Sequence, residues 1–171
     1  RRPPRTTLFP STTLFRSGDI SPIKKNALIV IVGYETDRAK SVIDFIEPSI
    51  LGLGYGKSSN STTLKNRSAN EKYISLLENI ANSNEKIFRF EVKCNDPNGT
   101  ASMIETQIKK FEGYNIIIVP MNNKITTIGV AKAAIRNPKI QLCYAPAEFY
   151  NVDDYSVPGG YCYIETDFFE K

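Results

Sequence analysis

The chain contains no histidine. That removes every His-containing catalytic triad, every His-ligated metal centre and every imidazole base from consideration. Cysteine is scarce: Cys94, Cys143 and Cys162 are odd in number, widely spaced and free of any Cys-x-x-Cys pattern, which argues against a disulfide framework or a zinc knuckle. Such isolated thiols fit a reducing, cytoplasmic setting. Long apolar runs are missing too. None approaches the roughly 18 to 20 residues that cross a bilayer, so no membrane partner is expected.

An excess of one charge is also lacking once the start of the chain is set aside. Thr6-Thr7-Leu8-Phe9-Pro10-Ser11 returns almost unchanged as Thr12-Thr13-Leu14-Phe15-Arg16-Ser17, behind an Arg/Pro-rich beginning. No apolar run follows Arg1, Arg2 and Arg5, so a secretory signal does not account for it. Residues 1–17 resemble translated sequencing-adapter sequence, of the kind found at the ends of reading frames from assembled environmental DNA. On that reading the native start is missing. Removing the four tail arginines from 22 basic residues leaves 18, equal to the 18 acidic ones. The basic pI therefore does not argue for general nucleic-acid binding. The expected organisation is a tail, then one domain over 18–171, which can equally be a piece of a longer protein.

What is present is a series of strand and helix signals. Asn26-Ala27-Leu28-Ile29-Val30-Ile31-Val32 is a continuous apolar run stopped by Gly33, the pattern of a parallel strand buried on both faces. Ala39, Val42, Ile43 and Ile46 at helical spacing predict a helix closed by Pro48. Ile50 to Lys57 suits a short strand, and its three alternate glycines read as a flexible connection. Ser68-Ala69-Asn70-Glu71 is a capping box opening a helix over 69–82. Ile87 to Val92 nearly alternates, as expected of a strand near the sheet edge. Asp96-Pro97-Asn98-Gly99 reads as a turn. Thr100 is the expected cap of a helix with Ala101, Ile104, Ile108 and Phe111 inward, and Gly113 its left-handed stop.

The chain is organised around 114–150. Asn115 to Val119 predicts the central strand and Met121-Asn122-Asn123-Lys124 a polar turn. Ile128, Val130, Ala131, Ala134 and Ile135 mark a small-residue helix, and 140–144 a further strand. One more strand is expected at 161–164. Alternating strands and helices argue for an α/β, Rossmann-like three-layer sandwich with a mainly parallel sheet of about five strands.

In such sheets ligands bind outside the carboxyl ends of the strands. There, Asn122 and Asn123 tolerate left-handed backbone, and a helix start supplies free N–H groups. With Lys124, Thr126 and Thr127 this makes a seat for a phosphate or other anion. The plainer alternative is that the asparagines make the turn and a threonine caps the helix. At the mouth of the first strand, Tyr34 can stack on a base and Arg38 contact a phosphate. Alternatively Thr36 or Asp37 caps the helix and Arg38 is solvated. The segment after the last strand offers Tyr144 and Tyr150 for stacking and Glu148 as an acceptor, or else forms a surface loop. Gly52, Gly54 and Gly56 before Lys57 fail the spacing of both phosphate-binding glycine motifs. Glu91-Val92-Lys93 matches half of a nuclease motif but lacks its upstream acid.

Strand, lysine-bearing polar turn, small-residue helix and aromatic-ended strand over 114–145 resemble the second motif of CRISPR-associated Rossmann-fold (CARF) domains, with 27–38 similar to their first glycine-containing strand-loop. Lys124 aligns with the family's lysine, and Asn122 and Asn123 stand where it carries glycines. More broadly, the chain resembles Rossmann-like sensor domains of prokaryotic defence systems. The resemblance implies sensing of a cyclic oligoadenylate. The expected partner is a nucleotide or short cyclic oligonucleotide, with no cofactor, and with a homodimer mate or an effector domain alongside. Two other readings compete. One is a metal-assisted phosphodiesterase or nuclease using Lys124 and nearby carboxylates. The other is a non-catalytic scaffold domain of a larger protein.

Overall fold

A computed structural model describes residues 20–56, 72–79 and 86–145. In chain order it shows β1 (Asn26–Ile31), α1 (Thr36–Ile46), β2 (Ile50–Gly56), a helix α2 over 72–79, and β3 (Lys86–Val92). Then come α3 (Pro97–Ile108), a 3-10 turn (Lys109–Phe111), β4 (Asn115–Pro120), α4 (Lys124–Arg136) and β5 (Ile140–Leu142). The five strands form one sheet in the order β3-β2-β1-β4-β5, every neighbouring pair parallel. This is the expected Rossmann-like α/β architecture. The tail 1–17, the capping box at 68–71 and the strand expected at 161–164 lie outside the described residues. No helix among the described residues is long and apolar enough to cross a membrane.

Period-two alternation sorts the strand side chains into two cores, because successive residues point to opposite faces. Ala27, Ile29 and Ile31 join Ile116, Ile118 and Ile140 beneath α3 and α4. Leu28, Val30 and Val32 join Leu51, Leu53, Ile117 and Val119 beneath α1 and α2. A strand covered on both sides has no wet face, which is why β1 reads as an unbroken apolar run. The centre of the sheet is β1 rather than the expected β4, since β1 stands third of the five strands and β4 is its neighbour. At the edge, β3 does alternate, and its exposed Arg89 holds Glu78 of α2 in a two-point ion pair.

Three local expectations need correction. Gly52 and Gly54 are not a flexible connection but the interior of β2, in register with Phe88 and Phe90. A Cβ on Gly52 would stand 2.5 Å from the Phe88 ring, and one on Gly54 2.8 Å from that of Phe90. The glycines thus let neighbouring aromatics lie across β2, a pairing visible only when β3 is alongside. Next, α3 begins a turn earlier than expected: Asp96 is its cap, accepting from the Gly99 N–H at 2.8 Å, and Pro97 takes the first helical position. Thr100 is buried within the helix and donates its hydroxyl to the Lys93 carbonyl. Finally, α4 buries Thr126, Gly129, Val130, Lys132, Ala133 and Ala134, and leaves Ile135 60% exposed. Its inner face is rotated because it also packs on α3, where Gly129 sits against the Pro97 carbonyl and Thr100.

Candidate ligand site at the carboxyl edge of the sheet

The strand order reverses between β1 and β4: β1 leads to β2 on one side, and the chain returns to β4 on the other. Open α/β sheets bind ligands at such a point. Here the two loops leaving β1 and β4 are pulled together. The Met121 N–H donates to the Ile31 carbonyl at 3.0 Å, continuing the ladder. A Cβ on Gly33 would fall 1.8 Å from the Met121 carbonyl oxygen, so only glycine admits this approach.

Asn122 and Asn123 hold the loops in place. The Asn122 amide donates to the Val32 carbonyl at 2.6 Å, and its oxygen accepts from the Asn123 N–H at 2.8 Å. Asn123 has φ −95° and ψ 173°, so neither it nor its role depends on left-handed backbone. Its side-chain oxygen caps α4 by accepting from the Thr126 N–H at 2.8 Å, and its amide donates to the Cys94 carbonyl at 2.9 Å. The three loops after β1, β3 and β4 are therefore tied through two adjacent asparagines. Sequence spacing suggested only a turn, because the partners at 32 and 94 are distant in the chain.

The threonines divide. Thr126 is fully buried, its N–H and hydroxyl both given to Asn123, so it belongs to the framework and not to a ligand-contacting surface. Thr127 is exposed, with its hydroxyl 3.1 Å from the Asn123 carbonyl. Lys124 opens α4 and is exposed. No hydrogen bond or ion pair engages its ammonium among the described residues. The first-turn N–H groups of α4 lie beside it, the ordinary positive end of a helix.

At the mouth of β1, Tyr34 is 55% exposed and meets Tyr73 of α2 edge to face, ring centroids 6.2 Å apart. Partial burial, then the neighbouring Tyr73 and Cys94, raise the Tyr34 phenol above its ordinary value. Tyr73 was not among the expected site residues. The signal for it was topological, since helices of a parallel α/β sheet start at the carboxyl edge. Neither Thr36 nor Asp37 caps α1: Glu35 occupies that position without a side-chain capping bond. Its carboxylate instead sits 2.9 Å from Nε of Arg38, which is thereby partly engaged. Tyr144 follows β5 on the same edge and is 54% exposed. Glu148 and Tyr150 lie outside the described residues.

The arrangement offers anion attraction and a stacking face, and among the described residues no acid–base or nucleophilic pair lies at this edge. Burial pushes the Cys94 thiol up, away from the thiolate form. Glu91 is half-buried in edge strand β3, and Lys93 pairs with Asp96 at 3.6 Å. The described residues contain no group of three His, Cys, Asp or Glu able to hold a metal ion. Gly52 and Gly54 lie in a strand interior and cradle no phosphate.

No protein-family model matches this sequence, and no curated protein matches it. Among solved structures the fold is similar to Enterococcus italicus Csm6 bound to cyclic hexa-2′-fluoro-hexa-dAMP, with a TM-score of 0.58 at 12% identity over 72% of this chain. It is also similar, at a TM-score of 0.42 and 16% identity over 70% of this chain, to a short-chain dehydrogenase from Oenococcus oeni. The matched region spans 33% of the Csm6 chain and 58% of the dehydrogenase. At these identities the likeness to Csm6 establishes a shared fold, and the lower-scoring likeness adds nothing to it.

Proposed function

We propose that this domain is a sensor module that binds a nucleotide or short cyclic oligonucleotide across the carboxyl edge of its sheet. The observation that carries the reading is the exposed ammonium of Lys124 at the start of α4, unpaired among the described residues, on a switch point braced by Asn122 and Asn123. Lys124 and the helix start receive a phosphate, and Thr127 adds a hydroxyl. Tyr34, with Tyr73 behind it, offers a stacking face for a base. Arg38, Tyr144, Glu148 and Tyr150 are further proposed contacts, while Asn122, Asn123 and Thr126 set the geometry. The CARF resemblance over 114–145 supports the reading, as does the fold shared with a Csm6 structure whose ligand is a cyclic oligonucleotide.

Thermal unfolding against a panel of cyclic and linear oligoadenylates tests it. A ligand at about a hundred times its dissociation constant adds about 2.7 kcal/mol, which for a domain of this size is a rise of about 5 to 10 °C. Lys124→Ala is expected to remove most of that rise without lowering the unliganded midpoint. A panel that produces no rise contradicts the proposal.

A further inference from the structure

At the opposite pole, where the strands begin, α3, the 3-10 turn, the start of β4 and the end of α4 enclose a cleft of about 800 Å³. That volume is ordinary for a small-molecule site. Four cations line it, Lys24, Lys109, Arg136 and Lys139, against the two carboxylates of Glu105 and Glu112. Only one contact joins opposite charges there: Arg136 lies 3.6 Å from Glu105, with both side chains partly exposed. The three lysines have no ion-pair partner among the described residues.

Basic residues at helix ends are common, because they face the negative end of the helix dipole. That accounts for Lys109 and Arg136. It does not account for Lys24, which precedes β1, or Lys139, which follows α4.

The cleft is also held open. Asn115 is buried and fixes the segment carrying Lys24, accepting from the Ser21 N–H at 2.9 Å and donating to the Lys24 carbonyl at 3.1 Å. Gly113, at φ +88°, has nothing within 4 Å of where a Cβ would stand, so its side of the wall is bare. Ile108, Tyr114 and Pro138 supply apolar lining between the charges. Surplus positive charge in a preformed, half-apolar cleft concentrates anions with an organic body.

We propose that this cleft is a second binding site, for a small organic polyanion bearing phosphate or carboxylate groups, separate from the site at the carboxyl edge.

Amide chemical-shift titration of the full chain with 2,3-bisphosphoglycerate and with citrate tests the proposal. Saturable shifts are expected at Lys109 to Tyr114, Asn137 and Lys139, the tighter probe identifying the preferred group. The double reversal Lys109→Glu with Lys139→Glu is expected to weaken saturation at least tenfold. Lys40→Glu, on exposed α1, is expected to leave it unchanged. Both reversals fall at exposed positions, and retention of the amide spectrum confirms that each variant folds. Shifts that saturate with neither probe, survive the double reversal or cluster at Lys124 to Thr127 overturn the proposal.

Discussion

Asn123 does two jobs with one amide, and substitution separates them. Its oxygen caps α4 and its nitrogen reaches the Cys94 carbonyl. Asn123→Ala loses both and is expected to cost about 1 to 2 kcal/mol, in the range of lost N-caps. Asn123→Asp keeps the cap and places negative charge at the helix start, so it is expected to cost less. Urea-unfolding midpoints of the two variants make the comparison; equal losses would mean that the tie to Cys94, and not the cap, dominates. The buried Cys143 and half-buried Cys94 thiols set a pH dependence. Cys94 and Cys143 are raised above their ordinary value of 9.0, and Tyr34 above 10.0, all through burial first. The folded state therefore holds these protons more tightly than the unfolded chain. Their contribution is full below about pH 9 and is lost as pH rises through the folded values. The thermal midpoint is expected to fall as pH rises above about 9, with a shallower fall in Cys143→Ala than in the parent chain.

At the scale of elements, the contact of α3 with α4 turns on Gly129. A glycine inside a helix is worse than alanine by about 1 kcal/mol, so Gly129→Ala would stabilise an isolated α4. In the folded chain the added Cβ would lie 2.7 Å from the Pro97 carbonyl oxygen and 2.7 Å from Cβ of Thr100. Neither can step aside: one is backbone at a capped helix start, and Thr100 is tied to the Lys93 carbonyl. Overpacking of this kind costs about 1 to 3 kcal/mol and outweighs the helix gain. Gly129→Ala is expected to lower the urea midpoint, and a raised midpoint would show that the helices can separate at little cost. The β2 glycines follow the same logic, since residues that look like loop material in one dimension make room for Phe88 and Phe90 in three.

For the whole molecule, one sheet separates two cores, with Ile43 of α1 on one side and Ile104 of α3 on the other. Ile43→Val and Ile104→Val are each expected to cost about 0.5 to 1.5 kcal/mol. The double variant should lose their sum within about 0.5 kcal/mol, because the sites share no partner. A larger discrepancy in urea unfolding would mean that the sheet transmits strain between the layers. The same layering shows what was legible from the residues. Apolar runs bounded by glycine and proline determined the strands and the α/β class, because a strand buried on both faces needs apolar side chains at every position. The stripe from Ala101 to Phe111 was likewise local, whereas the expected helix stop at Gly113 is displaced: α3 ends at Ile108, and Gly113, at φ +88°, lies in the turn after the 3-10 segment. Strand order, the central place of β1 and the rotation of α4 came only with the tertiary structure. Each depends on a partner far along the chain: Phe88 for Gly52, Pro97 for Gly129, Val32 for Asn122. The turn at 121–127 was visible as a polar interruption between apolar elements. Only the fold decided which of its side chains remain free, because hydrogen bonds to distant carbonyls engage the asparagines and leave Lys124 exposed at the start of α4.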